Sequence, residues 1–170
     1  MGQNSVTIIV PIIRNKVDDL MHYLGVIKKD IVHGNAPEFA KLNKIHYARW
    51  VVIDHGKSWI NDPTPKAPKL VFVVDFDGQL DSLLHGLCSD SSDMLDKVYG
   101  FCEEFSEVDK QTPMSRVSFL KKFIVKDAAL YIGAPSRTVQ QISDERNLRD
   151  FIRNYLDSRS WKGETPDSIH

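Results

Sequence analysis

Cysteine is scarce in these 170 residues: Cys88 and Cys102 are the only two, and both fall in helix-like sequence. A disulfide framework and a cysteine-built metal knuckle are therefore excluded, and two reduced, packed thiols in a cytoplasmic setting are expected. An excess of positive charge is also lacking. Twenty-two Lys and Arg stand against 23 Asp and Glu, a net charge of −1, and no basic block occurs, which removes the electrostatic footprint of a DNA or RNA binder. Long apolar runs are missing too, since no stretch approaches the ~20 residues of a membrane helix. Val6 to Ile13 is apolar but short and holds Pro11, so it reads as a strand rather than a signal peptide. Met1-Gly2 opens like a myristoylation signal, but Val6 stands where Ser or Thr is required.

What is present suits one globular domain over residues 1–160, with 161–170 as a loosely held tail: the apolar share is 42%. Val6 to Ile13 is β-branched on both parities, and Lys16 to His33 spaces Val17, Leu20, Met21, Leu24, Ile27 and Ile31 as an amphipathic helix ending near Gly34. Ile45 to Asp54 and Leu70 to Phe76 read as strands around a proline-bearing loop. A helix opens at Gly78-Gln79, breaks at Ser89 to Ser92 and resumes from Asp93 to Phe105. Thr112-Pro113 starts a short helix to Lys122, Ala128 to Ile132 reads as a strand, and Asp144 to Ser158 as a last helix capped by Ser143. Its Leu148, Phe151, Ile152 and Tyr155 read as core.

This order is a split βαβ plan, so the expected fold is α+β and ferredoxin-like: a four-stranded antiparallel sheet, helices on one face and extra C-terminal helices. Three strands carry apolar residues on both parities, so the open face needs a cover, most simply a second copy in a homodimer.

Leu70 to Leu80, LVFVVDFDGQL, resembles the nucleophile loop of the haloacid dehalogenase-like phosphatases. The resemblance implies Asp75 as nucleophile, Asp77 as acid-base group and Mg²⁺ as cofactor. Gln79 departs from the usual Thr, a β-α-β unit precedes the loop, and Ala129 to Val139 supplies no carboxylate for the metal. On the alternative reading Asp75 ends a strand and Asp77 caps the helix that follows. A second resemblance spans more of the chain. Ile45 to Val52 (IHYARWVV), Leu70 to Gly78 and Tyr131 to Val139 (YIGAPSRTV) look like successive blocks of an uncharacterised bacterial domain of the dimeric α+β barrel superfamily. That superfamily includes haem peroxidases, chlorite dismutase-like proteins and cofactor-free monooxygenases, so it implies a fold and sheet pairing but no one chemistry.

Three functions follow: a small-molecule binding or accessory domain, the phosphatase, or a non-catalytic interaction module. For the first, His46, Arg49, Asp75, Tyr131 and Arg137 are the candidate ligand-binding residues. The arginines would read a small anionic group while His46 or Tyr131 handles a proton. The plainer alternative pairs Arg49 with Asp75. His22, His33, His46, His55 and His85 could each ligate haem, but no context singles one out, so the sequence assigns no cofactor and no metal.

Overall fold

The computed structural model describes residues 3–35, 39, 42–53, 67–126 and 137–158. Four strands form one antiparallel sheet in the order β2-β3-β1-β4: β1 Gln3–Pro11, β2 Ile45–Ile53, β3 Lys69–Asp77 and β4 Ile124–Val125. Among the described residues five α-helices accompany it: α1 Val17–Val32, α2 Leu80–Asp90, α3 Ser92–Tyr99, α4 Pro113–Lys122 and α5 Val139–Ser158. The chain is thus α+β, with its long β1–β3 and β2–β3 ladders setting Val6 opposite Val74 and Trp50 opposite Phe72.

The period of two sorts the strands into two faces. Val6, Ile8, Val10, Leu70, Phe72, Val74 and Phe76 point into one buried cluster with Val17, Leu20 and Ile27 of α1, Leu83, Leu84 and Leu87 of α2, Leu95 and Val98 of α3, and Val117 and Leu120 of α4. Tyr99, Phe105 and Phe119 close it, with ring centroids 5.0 to 6.0 Å apart in tilted and edge-on pairs. Arg116 ties α4 to α3 with a bidentate pair to Asp96, 2.7 Å for each bond, and donates to the Lys110 carbonyl at 2.6 Å. That carboxylate raises the Arg116 pKa, keeping the buried guanidinium charged. At the surface Lys121 of α4 holds Asp81 of α2 at 2.9 Å and keeps its carboxyl below the usual range.

Several expectations need correction. α3 stops at Tyr99 instead of running to Phe105, and the chain turns through Gly100 and through Glu104 at φ 63° into a short 3-10 turn, Phe105–Glu107. The expected strand Ala128 to Ile132 lies outside the described residues, as do Tyr131 and the tail. Among the described residues the fourth strand is Ile124–Val125, paired to Ile8 and Thr7 directly after α4. α5 begins five residues before the expected start, at Val139 rather than Asp144. Its apolar residues are not core: Leu148, Phe151, Ile152 and Tyr155 all stand exposed.

A polar junction at the end of the sheet and an apolar groove at its edge

The junction begins with a slip in register. Ile45 pairs with Phe76 and Tyr47 with Asp75, so His46 is an extra residue on β2, a β-bulge. Strict alternation would put His46 beside Trp50 on the core side. The bulge instead brings its ring to Gln3 and Asp77, a cross-strand pair that shares the parity of Asp75 and Ser5. His46 Nε2 lies 3.0 Å from Asp77 Oδ1, with both side chains largely buried. The Gln3 amide nitrogen lies 3.1 Å from Nε2 and 3.5 Å from Nδ1; with the ring proton placed on Nε2, His46 donates to Asp77 and Nδ1 is the nitrogen left to accept. The same Gln3 nitrogen reaches the Arg137 carbonyl at 3.4 Å.

Asp77 uses its second oxygen on another element. Oδ2 accepts the backbone N–H of Val139 at 2.8 Å, so this carboxylate caps α5, across 62 residues of sequence. It does not cap α2, whose N-cap Gln79 makes no side-chain bond; the chain leaves β3 through Gly78 at φ +93°, a left-handed turn that suits glycine. Thr138 and Gln141 complete the α5 start as a capping box, with the Thr138 N–H donating to Gln141 Oε1 at 2.8 Å and the Gln141 N–H donating to Thr138 Oγ1 at 3.1 Å. The Arg137 guanidinium pairs with Glu145 on the second turn. Beside this junction a pocket of about 440 Å³ is lined by Asn4, Lys44, Asp77, Gln79, Ser82 and Thr138. Lys44 Nζ donates to Ser82 Oγ at 3.0 Å and Asn4 to the Gly78 carbonyl at 2.8 Å.

The candidate residues therefore divide. His46 and Arg137 meet at the junction through Gln3, while Arg49 and Asp75 lie farther along the open face of the sheet. Asp75 stands opposite Tyr47 and half-buried, and the Arg49 guanidinium lies 6.0 Å from the Tyr47 ring centroid rather than on Asp75. Tyr131 lies outside the described residues. Sequence reading passed over Gln3, Lys44 and the capping box; only the Thr138-x-x-Gln141 spacing carried a local signal.

A second concavity, roughly 600 Å³, runs between α1 and the edge strand β2. Met21, Gly25, Ile31, Phe39 and Trp50 give it apolar walls, and the exposed Lys28 and Arg49 add two cations. Trp50 forms the floor, stacked on Phe72 at 4.8 Å and flanked by Phe39 at 5.3 Å. Met21 and Ile31 belong to the helical stripe expected in the core, yet they stay exposed and line this groove. A Cβ added at Gly25 would meet nothing within 4 Å, so the absent side chain leaves open space there.

Among the described residues no group of three or more His, Cys, Asp or Glu gathers to hold a metal ion, and no helix is long and apolar enough to cross a membrane. Cys88 and Cys102 are free and buried, and burial pushes both thiols up to about 12, so neither is a thiolate nucleophile at neutral pH. No family model, curated protein or solved structure matches the chain.

Proposed function

We propose that this chain is a small-molecule binding domain with a ferredoxin-like plan, akin to the dimeric α+β barrel domains its sequence blocks resemble, and that it works as a homodimer in the cytoplasm. The observation that carries the reading is the groove between α1 and β2. Its roughly 600 Å³ suits a drug-sized ligand, and its walls are apolar with two cations, Lys28 and Arg49. The ligand it favours has an apolar body and an anionic head, held by Lys28 and by Arg49 at the rim of the edge strand, while Trp50 packs against the body. The strand order 2-3-1-4 and the two apolar parities of the sheet support the fold and the pairing.

The geometry speaks against the phosphatase. A dehalogenase-like site needs two free carboxylates sharing one phosphate and one metal. Here both oxygens of Asp77 are engaged, by His46 and by the Val139 N–H, and Asp75 faces Tyr47 across the open face.

The test is a titration with dodecanoate in a Trp59→Phe/Trp161→Phe background, which leaves Trp50 as the sole indole among three. Saturable change in Trp50 fluorescence, weakened roughly tenfold by Arg49→Gln and absent with dodecylammonium, is the expected result. No saturable change, or equal binding of the two amphiphiles, overturns the reading.

A further inference from the structure

Among the described residues no element packs along the apolar stripe of α5. Leu148, Phe151, Ile152 and Leu156 fall on one stripe of it and are 58%, 67%, 48% and 62% exposed. A helix of 20 residues that keeps so many large apolar groups in water gains little from propensity alone and needs a surface to lie on. The sheet also has a face that no described helix covers. On the open face of the sheet Val51, Ile53 and Val125 are 39%, 39% and 44% exposed, with Ile9, Val71 and Val73 half-buried between them. The two share an origin, because Asp77, which holds the start of α5, ends β3 on the parity of that face.

From this we infer that α5 is an exchanged arm: in a two-fold dimer the stripe of each protomer's α5 lies along the open sheet face of its partner. The lengths agree. Twenty helical residues and nine strand residues both span about 30 Å. So do the areas. One side of such a helix presents roughly 450 Å² and three strands about 4.8 Å apart present roughly 400 Å², so helix and face together come to about the 800 Å² a protomer contributes to a stable interface. A second copy is the occupant that covers both bare surfaces at once, since two-fold symmetry makes each protomer supply what the other lacks. The inference rests on the homodimer proposed above and names the element that makes it.

Light scattering after gel filtration of the full chain gives the oligomeric state, and two charge insertions at exposed positions test the contact. The expected results are a mass of twice 19.4 kDa for the wild type and roughly hundredfold weaker dimerisation for Phe151→Asp on the arm and for Val73→Asp on the face. Mixing the two variants restores a dimer, because one intact arm still meets one intact face; circular dichroism of each variant alone confirms that it folds. A monomeric wild type overturns the homodimer itself. A dimer broken by Val73→Asp but not by Phe151→Asp means sheet packs on sheet, one broken by Phe151→Asp but not by Val73→Asp means α5 packs on α5, and one broken by both but not restored by mixing means that arm and face do not meet by exchange; each outcome sinks the exchanged arm and leaves the homodimer standing.

Discussion

Ile8, Phe72 and Val74 are sealed beneath α1 to α4, whereas Ile9, Val71 and Val73, one residue along on the same strands, remain half-buried. The residue types hardly differ, so side-chain hydrophobicity does not account for the contrast. Four amphipathic helices cover one face; on the other, the described part of the chain sets down only the first turn of α5. An apolar parity states that a face is to be covered and leaves open whether its own chain does it.

The contrast can be broken most forcefully at Phe72. Phe72→Ala removes a fully buried ring that stacks on Trp50, and chemical denaturation should show a loss of about 4 kcal/mol. Val73→Ala, next along the strand on the open face, should cost less than about 1 kcal/mol in dilute protein. Equal losses would mean the open face is sealed within the monomer. Asp77→Ala tests the junction at smaller scale, with an expected loss of about 1 kcal/mol. Its signature is local: hydrogen exchange should quicken at the first-turn amides of α5 and stay unchanged at the start of α2, and the reverse pattern would return Asp77 to its sequence neighbour. Smallest is Gly25→Ala, expected to stabilise by roughly 0.5–1 kcal/mol because alanine favours the helix and its methyl group meets open space. A loss of stability there would mean that something already occupies the groove.

Much of this architecture was legible in the sequence, and the misses have physical causes. The runs of β2 and β3 and the apolar spacing of α1 and α4 placed those elements to within a residue at each end, and β1 was found two to three residues late, since pattern and local propensity agree there. The bulge at His46 was not legible, because a bulge is a mismatch between two strands and neither strand records it alone. The target of Asp77 was misassigned for a related reason: the nearest helix start in sequence is α2, and the partner it takes is brought in from 62 residues away. The stripe of α5 was visible, but periodicity reports an amphipathic helix without saying which molecule its apolar side will meet. Of the candidate residues, His46 and Arg137 meet by way of Gln3, while Arg49 and Asp75 lie on the open face, Arg49 at the rim of the groove.

The bond from Val139 to Asp77 has a last consequence. Because the first amide of α5 is held by a residue of the sheet, the start of the helix is tied to the end of β3. The start of α5 thus depends on a carboxylate 62 residues upstream, and a substitution at position 77 acts on a helix that it does not adjoin in sequence.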